Sequence, residues 1–480
     1  MGKHNSADIR REVGHPIIDA DGHVLEVLDA THPYLRESLG AARFEAWRAR
    51  GPRASVSQRP RTMEDRRRTR TPQGSWWGGP PASNARDRAT AALPSMLHER
   101  MDELGIDFAV LYPTNTLLTL AEDDPDLRCG LAGGFNAFYA DVYGPFRDRF
   151  TVAGMIPMHT PQEAIDELRH CHALGLKVVV FPEGVLRPLD EPADDNCSPW
   201  LYPGQRHWFD SFGLDSIHDY DRVWATCEEL GFAATFHGGL TVRPGLHWSI
   251  TSYVANHVGQ FAAEMYPLCK SLLFGGATAR FPRVPFVFLE CGVSWAAQLL
   301  TDTIGHWEKR NVDAIIAMDP ARLDRDELAT YWARHGGRIA ELIGVDPYEY
   351  VQRLPVHGST PEELDEFVTL VVKSPADIVE RFAPSFYFGC EADDRGVTPA
   401  VAPSNPGGAQ LSAVFSSDIG HWDVPDMAGV VAESHELVED GFLTAAQWRR
   451  FTFDNSVEMF TRLNPSFFDG TAVAPHVASA

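Results

Sequence analysis

The chain has 480 residues, of which 44% are hydrophobic and 22% are charged. This composition supplies a large apolar core and excludes a disordered chain. Because 66 Asp and Glu residues outnumber 42 Lys and Arg residues, the formal net charge is −24, which repels nucleic acid and anionic membranes. The seven cysteines are odd in number and form no CxxC pair. We therefore expect a cytoplasmic protein with free thiols and a small-molecule substrate, and neither a nucleic-acid nor a membrane partner.

Eight short apolar runs recur along the sequence, and helical patterns lie between them. The runs cover residues 17–19, 108–112, 151–156, 177–181, 232–236, 285–289, 385–388 and 413–416. Residues 160–174 show the helical pattern, with Thr160 as the expected N-cap and Pro161 in the first turn. Alternation of strands and helices indicates a parallel sheet, and eight strands indicate an α/β fold of the (β/α)8 TIM barrel type. One domain over residues 1–480 is predicted.

Two long stretches interrupt this alternation. Residues 45–90 are rich in Arg, Pro, Gly and Ser, and we predict a loop excursion after the first strand that could serve as a lid. Residues 302–382 contain further helical patterns at 324–342 and 361–372. This second stretch is too long for a simple crossover, so it predicts a helical insertion before the seventh strand.

Asp21 and His23 follow the first apolar run and are separated by one residue. On a strand, such a pair points to the same side, here toward the barrel interior. A carboxylate and an imidazole are ligands for zinc, iron or manganese. On its own the pair is also compatible with a helix cap and a packed core histidine.

Other ionisable residues stand at later strand ends, where the active site of a parallel barrel lies. His237 follows the run 232–236, and Asp418 follows the run 413–416. These positions predict a metal site that contains both residues. His421, three residues after Asp418, is predicted to belong to this site or to lie beside it, in the second case contacting substrate.

Glu290 and Glu26 have less certain roles. Glu290 ends the run 285–289 and could bind a metal, orient a water molecule or pair with an arginine. Glu26 lies three residues after His23 and could be a second metal ligand, a helix cap or a salt-bridge partner. Trp295, which follows Glu290 closely, is a candidate substrate contact. The sequence has no GxSxG elbow and no phosphate-binding glycine loop, which argues against other catalytic schemes and organic cofactors.

Several motifs resemble those of the amidohydrolase-related family, the branch that includes aminocarboxymuconate-semialdehyde decarboxylase and aromatic-acid decarboxylases. The matching segments are residues 19–26 (DADGHVLE), 99–107, 274–282, 290–295 (ECGVSW), 417–421 (SDIGH) and Asn455. The resemblance implies metal ligation by Asp21, His23, His237 and Asp418, with Asp418 also moving protons. Decarboxylases of the family have histidines where Asp21 and Glu290 stand here. This more anionic set favours a harder metal such as iron or manganese, or a second metal.

These observations lead to three functional hypotheses. The first is a divalent-metal enzyme that hydrolyses or decarboxylates a small organic, carboxylated substrate, with Asp418 and Glu290 as catalytic groups. The second is a dinuclear iron or iron/manganese oxygenase that uses Asp21, Glu26, Glu290 and Asp418. The third is a non-catalytic assembly subunit. The expected cofactor is one divalent ion (zinc, manganese or iron) or two, and the expected assembly is a homo-oligomer or a hetero-oligomer with a related barrel.

Overall fold

Parallel β-strands form the centre of the fold. The computed structural model describes residues 5–51, 62–72, 79–190, 204–239, 249–343 and 360–477. The strands in these ranges are β1 (Ile18–Val24), β2 (Phe108–Pro113), β3 (Phe150–Val152), β4 (Gly154–Met155), β5 (Val179–Pro182), β6 (Val185–Pro188), β7 (His207–Asp210), β8 (Ala234–His237), β9 (Phe286–Phe288), β10 (Phe386–Glu391) and β11 (Ser412–Ser416). β6 and β7 form an antiparallel hairpin, and the other strands pair in parallel.

The parallel strands follow the order of an α/β barrel, which confirms the predicted fold. One sheet has the order β1-β2-β3, and the other has the order β11-β10-β9-β8-β5-β4. Only Ala153 separates β3 from β4, so these are two halves of one strand. Within the described residues, no ladder joins β1 to β11. Instead, the Asp418 N–H donates to the Asp21 carbonyl (3.0 Å), and the His23 N–H donates to the Ile419 carbonyl (2.8 Å). We call this junction of the first and last strands the seam.

The burial of the strands explains why the sequence pattern predicted them. Every residue of β1 and β2 is buried, as expected for strands that are covered on both faces. Each of the eight apolar runs overlaps a strand, and the run 151–156 covers both β3 and β4. The hairpin of β6 and β7 was not predicted, because β6 alternates buried and exposed residues and β7 is mostly accessible.

Helices cover the outside of the barrel. The α-helices in the described ranges are Ser6–Glu12, Leu28–Leu39, Ala41–Arg50, Met63–Thr69, Ala85–Ala92, Pro94–Leu104, Pro125–Tyr143, Pro161–Ala173, Asp221–Leu230, Tyr253–His257, Gln260–Phe274, Ala277–Arg280, Ser294–Arg310, Val312–Ile315, Arg325–His335, Gly337–Ile343, Pro375–Phe382, Val430–Glu439, Ala445–Arg449, Asn455–Thr461 and Ala474–Val477, with a π-helix at Arg450–Asp454. The helix Pro161–Ala173 begins as predicted, because the Thr160 hydroxyl accepts the Glu163 N–H at 3.2 Å. No helix of the described residues has both the length and the apolar character needed to cross a bilayer.

The stretch 302–382 is only partly an insertion. Residues 302–310 complete the helix Ser294–Arg310, and the helix Pro375–Phe382 leads into β10. The helical pattern at 324–342 forms two helices that meet at Gly336. The predicted helix at 361–372 is wrong, since this segment forms turns and a short 3₁₀ helix. The Asp365 carboxylate accepts the Phe367 N–H (3.0 Å) and so competes with helical hydrogen bonding. Residues 344–359 lie outside the described ranges.

The stretch 45–90 contains helices as well as loop. The helix Ala41–Arg50 leads into it, and the helices Met63–Thr69 and Ala85–Ala92 lie within it. Its Trp76 and Trp77 fall outside the described residues. The residue that follows the stretch contacts the chain just after β1, because the Leu25 N–H donates to the Ala91 carbonyl at 2.9 Å. A role as a lid stays a prediction.

The cysteines that the structure describes are all free thiols, as predicted; Cys197 lies outside the described ranges. Cys291, which directly follows Glu290, is buried. Burial raises the pKa of the Cys291 thiol well above its ordinary value. This thiol is therefore protonated near neutral pH and is a poor nucleophile.

His15, just before β1, gives the fold a pH dependence. Burial and the neighbouring Arg449 lower the pKa of His15 from 6.5 to about 4. Below pH 6.5 the unfolded chain binds a proton that the folded chain excludes, so stability is lost as the pH falls toward 4.

The free energy of unfolding should therefore decrease between pH 7 and pH 5 in the wild type, and we expect this decrease to be smaller by roughly 1–2 kcal/mol in His15→Gln. Urea unfolding at both pH values measures this difference. The exposed His306 supplies the control His306→Gln, and an equal loss in all three proteins would contradict the assignment.

Candidate metal centre

The carboxyl ends of four strands bring five ionisable side chains together. Asp21 and His23 lie on β1, His237 is the last residue of β8, Glu290 follows β9, and Asp418 follows β11. All five side chains are buried. The strand ends of a barrel converge on one mouth, which is why residues so far apart in the sequence meet here.

The ligand atoms converge on the Nε2 atom of His23. This atom lies 3.3 Å from His237 Nε2, 3.4 Å from Asp418 Oδ1 and 3.7 Å from Asp21 Oδ1. His237 Nε2 in turn lies 3.3 Å from Glu290 Oε2. Each of the other three members of the predicted set, Asp21, His237 and Asp418, therefore has a ligand atom within 3.7 Å of His23 Nε2.

Two overlapping groups have the spacing of metal ligands. Asp21, His23 and His237 form one group; His23, Glu290, Asp418 and His421 form the other. Within each group the ligand atoms all lie within 4.8 Å of one another. Because His23 belongs to both groups and its Nε2 can bind one ion only, the two groups cannot both be complete at once.

A β-bulge shapes the first strand at the centre. The pairing of β1 with β2 shifts between Asp19 and Gly22, which means that β1 contains one extra residue there. A Cβ atom on Gly22 would lie 2.6 Å from an Asp19 carboxylate oxygen, so Asp19 leaves no room for a side chain at this position. Despite the bulge, Asp21 and His23 both point into the centre, as the spacing of two residues predicted.

Glu290 and Asp418 share an unusual backbone conformation. Their φ angles are 54° and 51°, in the left-handed region that non-glycine residues rarely adopt. Such a conformation costs about 1–3 kcal/mol and is typical of functional sites. Hydrogen bonds to neighbouring strands hold it: the Cys291 N–H donates to the Gly389 carbonyl at 3.2 Å, and the Asp418 N–H donates to Asp21 across the seam.

The imidazole rings have defined orientations. His237 Nδ1 lies 3.1 Å from the Gly238 carbonyl, which makes Nδ1 the N–H donor and leaves the lone pair of Nε2 for a ligand. His421 stacks on His23 with ring centroids 3.7 Å apart, and its Nδ1 lies 2.6 Å from Asp418 Oδ1. The Thr114 hydroxyl lies 3.5 Å from His23 Nδ1 and 3.3 Å from His421 Nε2. Thr114 was not predicted as a site residue, although it directly follows β2.

Burial and neighbouring charges shift the pKa values of all five side chains of the centre. Burial raises the pKa of Asp21 well above its ordinary value, and burial and Glu290 do the same for Asp418. Burial would raise the pKa of Glu290 too, but the hydrogen bond and charge of His237 lower it. Burial opposes protonation of His237, yet Glu290 and Asp21 raise its pKa to about 9. Burial and His421 lower the pKa of His23 well below its usual value.

Several buried carboxylate oxygens have no hydrogen bond of standard geometry in the described part of the chain. They are both oxygens of Asp21, both oxygens of Asp418 and Oε2 of Glu290. Two of these atoms nevertheless contact imidazole nitrogens: Asp418 Oδ1 lies 2.6 Å from His421 Nδ1, and Glu290 Oε2 lies 3.3 Å from His237 Nε2. Buried charges are normally paired or bind a metal. A divalent cation held by Asp21, His23, His237 and Asp418 would satisfy the orphaned oxygens and use nitrogen and oxygen ligands that suit zinc, manganese or iron. The residues present therefore fit a divalent ion.

Glu26 lies outside both ligand groups. Its carboxylate accepts hydrogen bonds from the backbone N–H groups of Thr114 (3.1 Å) and Asn115 (2.9 Å). It also accepts bonds of 2.9 Å each from the hydroxyls of Thr116 and Tyr139. Three of these contacts are to Oε1 and one is to Oε2, so this carboxylate holds the loop after β2 and places Thr114 beside the imidazoles.

The hydrogen bonds to Glu26 give a test of the hypothesis that its carboxylate is a further metal ligand. We expect Glu26→Gln to keep the metal content of the wild type, because Glu26 uses its oxygens on protein donors. The thermal stability should fall, since the amide cannot accept all four bonds. Elemental analysis and thermal unfolding measure the two effects, and loss of one metal equivalent would show that Glu26 is a ligand.

Trp295 also lies apart from the ligand groups. Its indole N–H donates to the Cys291 carbonyl at 2.9 Å. Its ring packs edge-on against Phe288 and Phe388, with centroids 6.1 and 5.4 Å away. This arrangement accounts for the side chain through packing at the start of the helix Ser294–Arg310; a contact with substrate stays a prediction.

An aromatic wall, formed by Tyr253, His257, Phe261 and Trp422, rises from the centre to the surface. Phe261 lies 5.9 Å from the ring of His237, and His257 lies 5.4 Å from Phe261. Trp422 is 5.5 Å from His257 and is 38% exposed. The wall was not predicted, because three of its members lie on the helices Tyr253–His257 and Gln260–Phe274, away from the strand ends.

Another buried carboxylate, that of Glu264, contacts the loop that follows His237. Burial and the nearby Glu183 raise the pKa of Glu264 to about 8. Glu264 accepts the Gly239 N–H at 2.6 Å and the Gln260 side-chain amide at 3.0 Å. It thereby fixes the loop that follows His237.

Sequence and structure comparisons place the chain among known proteins. The family model described as "Amidohydrolase" matches residues 18–317. No curated protein matches the sequence significantly. A solved amidohydrolase from Mycobacterium avium subsp. paratuberculosis K-10 is similar, with 16% identity and a TM-score of 0.48; the match covers 93% of this chain and all of the other.

Two further solved structures are decarboxylases. The 2,6-dihydroxybenzoate decarboxylase from Rhizobium has 13% identity and a TM-score of 0.46, over 93% of this chain and 99% of the other. The 5-carboxyvanillate decarboxylase from Novosphingobium aromaticivorans, crystallised with manganese and 4-hydroxy-3-methoxy-5-nitrobenzoic acid, has 13% identity and a TM-score of 0.47. That match covers 94% of this chain and 97% of the other.

Proposed function

The chain belongs to the amidohydrolase family. We propose that it is a divalent-metal enzyme that hydrolyses or non-oxidatively decarboxylates a small organic, carboxylated substrate. The observation that carries the proposal is the set of three buried carboxylates, Asp21, Asp418 and Glu290, which surround the Nε2 atoms of His23 and His237. Buried carboxylates are normally paired or bound to a metal, and a cation at this position would compensate all three.

The residues divide into ligands and proton carriers. Asp21, His23, His237 and Asp418 would hold the ion. When bound, a divalent ion supplies Lewis-acid polarisation of a substrate oxygen and lowers the pKa of water. Asp418 Oδ1 lies 2.6 Å from the Nδ1 atom of His421, and a carboxylate in contact with an imidazole suits a group that takes up and returns a proton.

In hydrolysis, Asp418 removes one proton from the attacking water as the oxygen–carbon bond forms. It then returns the proton to the leaving group as the scissile bond breaks. In decarboxylation, the bond between the carboxyl carbon and its neighbour breaks, carbon dioxide leaves, and Asp418 or Glu290 gives a proton to the remaining carbon. His421 keeps Asp418 oriented in both cases, since their side chains lie 2.6 Å apart.

Elemental analysis of the chain, purified without added metal or chelator, tests the proposal. About one zinc, manganese or iron per chain, with turnover of a carboxylated aromatic, a lactone or an amide that chelation abolishes, is the expected result. A metal-free chain whose turnover does not respond to added metal would contradict the proposal. A chain with neither metal nor turnover would favour the non-catalytic assembly subunit.

The overlapping ligand groups favour one second candidate, a dinuclear iron or iron/manganese oxygenase. Glu290 and His421 supply ligand atoms that the first group leaves unused. Two observations weigh against two complete sites: both groups need His23, and the Glu26 carboxylate accepts hydrogen bonds from protein donors. About two metal ions per chain, together with substrate-dependent oxygen uptake, would support this candidate. Association with a second copy or with a related barrel stays a prediction, for which the chromatographic mass of the native protein is the test.

A further inference from the structure

Asp19 crosses the seam between the first and last strands. Its side chain is fully buried. Its Oδ1 accepts the Ser417 N–H at 2.9 Å and the Asp21 N–H at 3.1 Å. Its Oδ2 accepts the Ser417 hydroxyl at 2.5 Å. One carboxylate therefore ties the backbone before Asp418 to the backbone of Asp21.

Ser417 extends this connection on the far side of Asp418. Its hydroxyl oxygen accepts the Ile419 N–H at 3.2 Å while its proton goes to Asp19. The residues before and after Asp418 are thus held by the same hydroxyl. Asp418 itself has the left-handed φ of 51°, a conformation that persists only when the surroundings enforce it.

These contacts lie where the sheet hydrogen bonding is interrupted. Elsewhere in the barrel, ladders between strands set the relative positions of neighbouring strand ends. At the seam, two backbone hydrogen bonds and the Asp19–Ser417 contacts do so. Bonds to an ionised carboxylate are stronger and shorter than neutral ones, so this pair is well suited to fix a distance.

We propose that Asp19 and Ser417 are positioning residues that hold Asp21 and Asp418 at the separation a divalent ion requires. The inference rests on the proposed function, because it concerns the ligands of that same centre. Neither residue is a ligand in this scheme; each acts through the carboxylate beside it. Loss of such an outer contact weakens metal binding by about 10–100-fold in other metalloproteins.

The adjacent Ser416 provides a matched control. It is as buried as Ser417, and its hydroxyl has no hydrogen bond among the described residues. Ser416→Ala and Ser417→Ala remove the same atom from neighbouring positions of the same segment. Only the second change breaks the contacts to Asp19 and Ile419.

The test is competition for Mn²⁺ between a fluorescent chelator and the purified full chain. We expect Ser417→Ala to bind Mn²⁺ about 10–100-fold more weakly than the wild type, and Ser416→Ala to bind within about twofold. Asp19→Asn, which keeps its shape but replaces one acceptor oxygen with an amide group, should also bind more weakly. Equal affinity in Ser417→Ala and the wild type, or equal losses in both serine variants, would overturn the inference.

Thermal unfolding separates positioning from a general loss of stability. The expected result is a smaller rise in Tm on addition of Mn²⁺ to Ser417→Ala than to Ser416→Ala, because the stabilisation by a ligand depends on its affinity. A purely structural role would lower the Tm of the metal-free protein and leave the metal-induced rise unchanged. If the wild type binds no divalent metal, the proposed function and this inference both fail; if the wild type binds and Ser417→Ala binds equally, this inference alone fails.

Discussion

His237→Ala is expected to reduce the metal content of the purified chain from about one ion to almost none. The substitution removes an Nε2 ligand that lies 3.3 Å from both His23 Nε2 and Glu290 Oε2. It also leaves the buried Glu290 without its partner. A loss of at least about 100-fold in affinity, or about 2.7 kcal/mol, follows when one of four ligands is lost. Inductively coupled plasma analysis after dialysis measures it.

His257→Ala is the matched control for this prediction. His257 packs edge-on against Phe261 in the aromatic wall, with ring centroids 5.4 Å apart, and belongs to neither ligand group. We expect this variant to keep its metal. Retention of the full metal content in His237→Ala would show that the centre is not a metal site of the kind proposed here.

Asp418→Asn is expected to lower turnover by about 10²–10⁴-fold while the fold is preserved. Asparagine tolerates the left-handed conformation at this position, where φ is 51°, so the backbone should keep its path. The amide cannot take up the proton that the carboxylate carries. Steady-state kinetics on the substrate found by screening, with circular dichroism as the check on folding, measures the effect.

Asp423→Asn separates this effect from a change of charge at the mouth. Asp423 is one of the groups that raise the pKa of Asp418, but it belongs to neither ligand group. Its neutralisation should change turnover by less than about tenfold. Similar losses in Asp418→Asn and Asp423→Asn would argue against Asp418 as the proton carrier.

The barrel was predictable because its strands are buried on both faces. Continuous apolar runs such as 108–112 are the direct signature of such strands, and their polar ends mark the mouth. The same rule led to His237, Glu290 and Asp418, which the structure brings together. It could equally have led to Thr114, which follows β2 in the same way.

Other features of the centre depend on tertiary contacts that no local pattern records. The backbone donors to the Glu26 carboxylate lie about ninety residues away in the sequence. The orientation of Trp295 comes from its hydrogen bond to the Cys291 carbonyl. The failed helix at 361–372 has a similar cause, since the Asp365 side chain diverts the backbone. Spacing alone could suggest these residues as ligands, contacts or helix formers, but their partners decide what each one does.

The seam also determines when the centre can form during protein synthesis. Asp19 and Ser417 are 398 residues apart in the sequence, so the ribosome makes one ligand-bearing strand near the start and the other near the end. The ribosome adds about 5–20 residues per second, and domains begin to fold as they emerge from it. The nascent chain therefore carries an incomplete ligand set until Asp418 has been made. A chain that stops before β11 cannot form the seam. Assembly of the centre is thus coupled to completion of the barrel.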